Sequence, residues 1–535
     1  MIEANRAENA EQKLKGRWWA LLALAFCLLV ISLDMTVLNV ALPTLAKDLQ
    51  ATESQLQWMV DAYTLVYASL VLLGGSLGDR FGRKRMLLLG LLLFGAGSLW
   101  SAFSGNATLL VLARGFMGIG GALIMPGTLS LTANIFLGPE RSRAIGVIQG
   151  VSGIGVVIGP LLGGFLLDHF SWGVIFLINV PIVLLAIPIC MWLVPESKDP
   201  LASRLDLPGA LLSIAGMFSL LFGIIEAPTY GLAEPRILVA LLLALVLLTG
   251  FVLWERHTDT PMLDLSIFRQ SAISASVLAL TLASLGMTGG LFFLTQYLQL
   301  VLGYTPLVAG LSFTPLVLGL LIASIGLSSL LDRLIGAKLT ITAGLIIVTG
   351  AIALLALLTT HTSYLETAGM LLMLGFGLGV TMVPATTAIM STLPLNRAGV
   401  GSAATDTAQE TGNALGVAIM GSILTAAYHA SMDASPLVQA LPSPIRTLVR
   451  DSLGGAMAVT AQLGAQGQAV ASLAQTAFVQ AIAPTVLIGA AISCCGALIA
   501  LFFIPRRINR QTSADELEPV SETTAVSPEK EIQRA

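Results

Sequence analysis

Fourteen runs of about twenty apolar residues, parted by short polar, glycine- or proline-bearing breaks, constrain this chain more than any single motif. A run of that length matches the roughly 30 Å hydrocarbon core of a bilayer at 1.5 Å per helical residue. Lipid offers no partner for an unpaired backbone amide, so each run has to be a helix. Six runs start near residues 18, 55, 86, 107, 144 and 174, and two more span 208–227 and 236–254. Six further runs cover 272–302, 306–330, 339–359, 364–388, 400–427 and 480–504. The expected fold is an all-α, multi-pass membrane protein with fourteen transmembrane helices. Its segments are a cytoplasmic stretch 1–17, a six-helix half 18–195, a two-helix insert 208–254, a six-helix half 272–504 with an outer segment 428–479, and a disordered tail 511–535. Composition agrees: 56% of residues are hydrophobic and 11% charged, with a mean hydropathy of +0.87, against roughly 25% charged in soluble domains.

Cations follow the loops unevenly. Lys13, Lys15 and Arg17 precede the first run, and with both termini cytoplasmic the inner loops collect Arg80, Arg83, Lys84, Arg85, Arg141, Arg143, Lys198, Arg204, Arg256, Arg269, Arg333, Lys338 and Arg397, and the tail Arg506, Arg507 and Arg510. The outer loops keep Lys47, Arg236, Arg446 and Arg450. This is the positive-inside pattern of an inner or plasma membrane protein, and one missed helix would scatter it. The first run is longer than the apolar stretch of a cleavable signal, so it is expected to remain. A net charge of −3 gives no basic field for nucleic acid. Cys27, Cys190, Cys494 and Cys495 lie inside apolar runs, and His169, His257, His361 and His429 at span ends or in loops, a pattern that builds neither a metal site nor a cofactor site. The segment 428–479 carries weak amphipathic periodicity through Leu437, Leu441, Leu448, Val449 and Leu453, and reads either as surface helices or as a tolerated loop.

The chain also repeats itself. GDRFGRKR at 78–85 follows the second run, and LDRLIGAK at 331–338 follows the second run of the last six. That points to two parallel six-helix repeats around a midplane cavity. GSLGDRFGRK at 75–84 resembles the loop signature of the major facilitator superfamily. LDMTVLNVALP at 33–43, ARGFMGIGGA at 113–122, GVVIGPLLGG at 155–164, FLINVP at 176–181 and GSAATDTAQETGNALGVAI at 401–419 narrow the resemblance to its fourteen-helix drug/proton antiporter branch. Two departures are Gly173, where the pattern commonly has a basic residue, and Gly336, one place late in the second loop.

The resemblance implies export by alternating access, with the proton as coupling ion and no other cofactor. Asp79, Arg80, Arg83 and Lys84 are expected to act as a conformational latch at the inner end of helix 2. Gly155, Gly159, Gly163 and Gly164 permit backbone-to-backbone helix contact, and Pro160 bends the helix that carries them.

Intramembrane charge is the strongest chemical signal, because an ionisable group in hydrocarbon costs several kcal/mol and is usually functional. Depth arithmetic puts Asp34, Asp61 and Arg114 in one layer of the outer half, an arrangement in which proton and cation can compete for a carboxylate. Asp406 and Glu410 stand four apart on one face of helix 13 and offer a second carboxylate pair. Glu226, near the outer end of helix 7, reads as an interface residue. Trp58, Tyr63, Phe292, Phe293, Tyr297 and Met382 are candidate substrate contacts, since aromatic and thioether groups make adaptable surfaces that attract cations. The expected activity is proton-coupled export of lipophilic cationic drugs or dyes by a monomer. A dedicated exporter of one metabolite is the alternative, and a membrane sensor or enzyme a remote one.

Overall fold

The computed structural model describes residues 2–136, 139–198, 206–258, 261, 265–392, 398–460, 463, 466 and 467–505. The expected tail 511–535, Arg204, Arg397, Arg506, Arg507 and Arg510 lie outside them. Among the described residues the chain is helical throughout, and eleven helices are long and apolar enough to cross a membrane, or twelve if one bent helix counts as a single span.

The first part of the chain forms α1 (Ile2–Asp48), α2 (Glu53–Phe81), α3 (Arg83–Ala102), α4 (Ala107–Ile135), α5 (Pro139–His169), α6 (Val174–Leu177) and α7 (Asn179–Leu193). Helix starts are chemically marked. Thr52 and Gln55 form a reciprocal capping box on α2, and Asn106 caps α4 through the Leu109 amide at 2.9 Å. α6 and α7 together make one span, Val174–Leu193. α1 begins at Ile2, and its candidate membrane span is Arg17–Asp48.

The insert is α8 (Leu207–Tyr230) and α9 (Pro235–His257). Asp206 caps α8 and accepts the Trp254 indole N–H at 2.7 Å, tying the two helices at one end. Gly216 and Gly223 let α9 close in through Leu248 and Leu241. Only 11% of the α9 apolar window is buried, against 67% for α1, so α9 is the lipid-facing strut and α1 the central post.

The second part forms α10 (Ser271–Gln296), α11 (Pro306–Ser312), α12 (Thr314–Ile322), α13 (Ser328–Leu354), α14 (Tyr364–Thr392), α15 (Ala398–Asp433), α16 (Pro436–Gln439), α17 (Ser443–Asp451), α18 (Leu453–Val459) and α19 (Gly467–Phe503). Single π turns at Tyr297–Val301 and Ala323–Leu327 extend α10 and link α12 to α13. Two boundaries differ from the sequence reading. α15 runs to Asp433 and α19 begins at Gly467, because polar Ser, Gln and Thr residues continue the helices beyond the apolar runs. Between them α16, α17 and α18 bury Val438, Val449 and Leu453, and Gly454 lets α18 sit on Ala46 of α1.

The apolar core divides as the sequence repeats. One cluster gathers residues from Ala20 to Val194, a second those from Ile267 to Ile504, and a small third joins Leu65 of α2, Leu221 and Ile225 of α8, and Ala414 and Ala418 of α15. α8 therefore packs at the junction of the two halves.

The two repeated loops show why each needs its glycine. Gly82 has φ 113° and Gly336 has φ 82°, both left-handed, so each turns the chain from one helix into the next. Gly336, with ψ 156°, breaks α13 into two helical stretches, 328–335 and 337–354.

Candidate functional site

At the cation-rich end, the Asp79 carboxylate pairs with Arg83 Nε at 2.7 Å, across the turn made by Gly82. Arg83 also donates to Ser197 Oγ at 3.2 Å, and Lys84 Nζ to the Met191 carbonyl at 2.6 Å. Arg80 stacks over Phe81 instead. Glu196 receives the Lys84 amide at 3.0 Å and faces Arg85 at 3.6 Å. The expected latch thus fastens α2, α3 and the segment after α7 to one another within the first half, while Arg80 stands aside.

The glycines of α5 serve two neighbours. Gly155, Gly159 and Gly163 face Ser32, Thr36 and Val37 of α1, where a Cβ would strike each side chain. Gly164 faces Leu307 of α11, and Gly310 of α11 returns the contact against the Pro160 carbonyl. One motif therefore packs α5 onto its own half along one stripe and onto the other half at its end.

That second contact lies at the cation-poor end, where other ties between the halves gather. Gln296 donates to Glu53 Oε1 at 2.7 Å, Gln299 to the Val40 carbonyl at 2.7 Å, and Gln57 to Thr425 Oγ1 at 3.3 Å. The two halves are closed against each other at the end that carries residues 48–53.

Deeper in the bundle, α1, α4 and α7 bring three polar side chains together. Arg114 Nη1 meets Asp34 Oδ2 at 2.5 Å, and Asn179 Nδ2 donates to Asp34 Oδ1 at 3.0 Å and to Ser98 Oγ at 3.2 Å. Arg114 Nε donates to the Met59 carbonyl at 3.1 Å, and its guanidinium lies 4.6 Å from the Tyr63 ring centre. Arg114 is 1% and Asp34 3% exposed, so this is a fully buried pair whose valences are met by neighbours. Such pairs are weak evidence of stability, since apolar replacement is often neutral, while loss of one partner costs about 3–5 kcal/mol.

Asp61 does not join this cluster, contrary to the depth argument. It is fully buried with neither carboxylate oxygen hydrogen-bonded. The reason is azimuth: Met59 and Tyr63 face Arg114, and Asp61, two residues from each, is turned about 200° away at 100° per residue. Its own face carries Gln57 and Leu65, which meet α15 at Thr425 and at Ala414 and Ala418. The third member of the cluster is Asn179, a polar residue inside the FLINVP run that depth and charge alone did not single out.

On α15, Glu410 Oε2 accepts from Asn413 Nδ2 at 3.4 Å, and Asn413 Oδ1 accepts from Thr288 of α10 at 2.7 Å. Asp406 and Glu410 are both half-buried. On α2, Tyr63 and Tyr67 stack with their rings 5.9 Å apart and within 4° of parallel. Tyr63 is in electrostatic range of Asp34, Arg114 and Glu410, and Tyr67 of Glu410 and Asp406. The Tyr67 hydroxyl turns to Met125, and the Tyr63 hydroxyl has no partner although buried. Tyr63 thus lies against the Arg114 guanidinium of the buried pair.

The remaining candidate contacts separate by position. Trp58 is half-buried, donates to Glu226 Oε1 at 3.2 Å and lies 5.4 Å from the Phe218 ring, so it faces the insert. Phe292 is fully buried and crosses from α10 into the core of the first half. Phe293 and Tyr297 sit in the core of the second half, where the Tyr297 hydroxyl donates to the Thr359 carbonyl at 2.6 Å. Met382 is half-buried against that core. Of the six, Tyr63 lies against Arg114 and Phe292 joins α10 to the core of the first half.

Comparison with known proteins places this geometry. The chain is 37% identical to the multidrug efflux pump LfrA of Mycolicibacterium smegmatis over 88% of its own length and 93% of the relative's. It is 33% identical to the methyl viologen resistance protein SmvA of Salmonella typhimurium, covering 86% and 93%, and 29% identical to the tetracenomycin C resistance and export protein of Streptomyces glaucescens, covering 97% of each. Among solved structures, an inward-facing, unoccupied bacterial homolog of the human lysosomal transporter Spinster superposes with a TM-score of 0.64 at 18% identity, over 92% of this chain and 98% of that one. The Major Facilitator Superfamily profile matches residues 24–417, and the chain belongs to that family of membrane transporters.

Proposed function

We propose that the protein is a proton-coupled antiporter of the cell membrane that exports lipophilic cationic drugs or dyes by rocking its two halves. The observation that carries this reading is the buried Asp34–Arg114 pair in the first half, with Tyr63 against its guanidinium, together with the half-buried carboxylates Glu410 and Asp406 on α15 of the second. Relatives named for multidrug efflux and for resistance to methyl viologen, itself a dication, support the substrate class.

In this reading α5 and the α11–α12 pair complete fourteen crossings, both termini are cytoplasmic, and the cation-poor end faces outward. The arrangement is then closed outside and accessible from the cytoplasm. A cation entering between the halves meets Glu410 and Asp406. Protons entering after release restore the carboxylates. Each proton moving inward carries about 2.3 kcal/mol per 100 mV of membrane potential, so one or two would drive a substantial gradient. Asp34 and Arg114 answer to charge at Glu410 through Tyr63. Asp79 and Arg83 hold α2 and α3 as one lever, and the α5 glycines seal the outer end.

A second reading, a dedicated exporter of one compound, is favoured by relatives named for single antibiotics, such as the tetracenomycin C and lincomycin resistance proteins. Ethidium efflux from energised cells, with and without a pH gradient, separates the two. Efflux that needs the gradient and is lost in Asp34→Asn and Glu410→Gln supports the polyspecific antiporter. A membrane-inserted protein that moves no cationic dye overturns it and leaves the single-compound exporter.

A further inference from the structure

A cavity of about 260 Å³ lies at the cation-poor end, away from the midplane groups, between the start of α2, the ends of α8 and α15, and α17. Glu53, Glu226, Asp451, Tyr230 and His429 line it. Charge there is unbalanced. Glu53 is held by Gln296, and Glu226 by Trp58 and Ser54, all neutral donors. Arg450 reaches Asp451 at 3.7 Å but is committed to Asp433 at 2.8 Å, and Arg236, over the Tyr230 ring, is paired with Glu234 at 3.1 Å.

His429 adds an independent observation. It is 5% exposed, lines the cavity, and neither ring nitrogen has a hydrogen-bond partner, although the Pro228 and Asp451 carbonyls flank it. A buried polar nitrogen left unpaired is destabilising, and a ligand supplying its partner would offset that penalty. A neutral imidazole offers one lone pair to an N–H donor.

We propose that this cavity is a second binding site, distinct from the midplane carboxylates, for a small protonated amine whose N–H groups reach His429 and whose charge is met by Glu226, Glu53 and Asp451. The volume is below the roughly 300–1,000 Å³ of drug-sized pockets, which sets the ligand as small. A quaternary ammonium of the same chain length satisfies the charge but has no N–H for the imidazole, so the site discriminates between the two. Its use as a station for release to the outside rests on the export reading above; binding itself does not.

The test is equilibrium calorimetry on the full-length protein in lipid nanodiscs at pH 8, with no gradient, using n-butylammonium and n-butyltrimethylammonium. Wild type is expected to bind butylammonium at least tenfold more tightly than the quaternary analogue. Asp451→Asn, on α17 outside the spans, weakens both, and His429→Phe removes the preference for the primary amine. Glu410→Gln leaves butylammonium binding within twofold. No butylammonium binding to wild type overturns the proposal, as does binding that falls with Glu410→Gln and not with Asp451→Asn. Because no transport is measured, a failed efflux assay leaves this result standing, and the reverse also holds.

Discussion

Gly164 is the position where one methyl group should shift the conformational balance of the whole transporter. A Cβ built there lies 2.5 Å from Leu307 Cα, 2.6 Å from the Pro306 carbonyl oxygen and 2.8 Å from the Leu307 amide nitrogen. All three are backbone atoms, so no side chain can swing aside. Ordinary carbon contacts sit near 3.5–4.0 Å, which requires α11 to withdraw from α5 by about 1 Å. Overpacking of a tight contact costs about 1–3 kcal/mol, and here it falls only on the state in which α5 and α11 touch. At 1.4 kcal/mol per factor of ten, Gly164→Ala should move the equilibrium about 5- to 150-fold toward the state open at the cation-poor end. The assay is pulsed electron spin resonance between labels at Asp168→Cys and Val308→Cys, with Cys494 and Cys495 replaced by serine. The expected result is loss of the short-distance population in Gly164→Ala, together with slowed dye efflux. A distance distribution identical to that of the parent would refute the argument that this contact closes the end.

Other perturbations follow from the same geometry. Asp34→Asn leaves the Arg114 guanidinium buried without its anion and should cost about 3–5 kcal/mol; thermal unfolding in detergent checks it, and adding Arg114→Gln should recover much of the loss without restoring coupled efflux. Asn179→Leu removes a donor to Asp34 and should cost about 1–3 kcal/mol, while Asp34 keeps Arg114. Gly82→Ala forces a Cβ onto φ 113° and against Glu196, so about 1–2 kcal/mol of stability should be lost, read as a lowered melting temperature. Burial pushes the Asp451 carboxyl up, partly opposed by Arg450. A raised folded pKa penalises the charged form, so Asp451 weakens the fold above that pKa and ceases to do so as pH falls through it. Asp451→Asn should therefore raise the melting temperature at pH 8 and leave it unchanged near pH 4.

Much of this architecture could be read before any coordinates. Apolar runs gave the helices, because a span in lipid has no other way to pair its backbone, and the GDRFGRKR and LDRLIGAK echoes marked the halves around which the two main core clusters gather, joined where Phe292 and Val417 enter the first. Charge in hydrocarbon picked out Asp34, Arg114, Asp406 and Glu410, and in the structure Asp34 and Arg114 form a buried pair beside Tyr63. Rotation about a helix axis was harder to read. Asp61 has the right depth and the wrong azimuth, since its partners on α2 and α15 become known only when Gln57 and Leu65 are seen to face the other half. Asn179 carries no charge, so its place beside Asp34 had no electrostatic signal. The segment 428–479 was ambiguous because its helices are short, and burial of Val449 and Leu453 depends on α1 and α15, which are distant in sequence. Gly164 and Gly163 look alike in GVVIGPLLGG, yet one meets α11 and the other α1.

The central claim is that export exchanges a cation for protons through the linked groups of the two halves. The most direct test reconstitutes the protein in liposomes holding a trapped pH indicator and adds ethidium or methyl viologen with no preset gradient. The account predicts that the substrate moves protons the opposite way at wild-type Glu410 and Asp34, and that Glu410→Gln and Asp34→Asn abolish this movement although both bind lipid and run as monodisperse protein. Substrate transport with no proton movement, or proton movement undiminished in both variants, would contradict it.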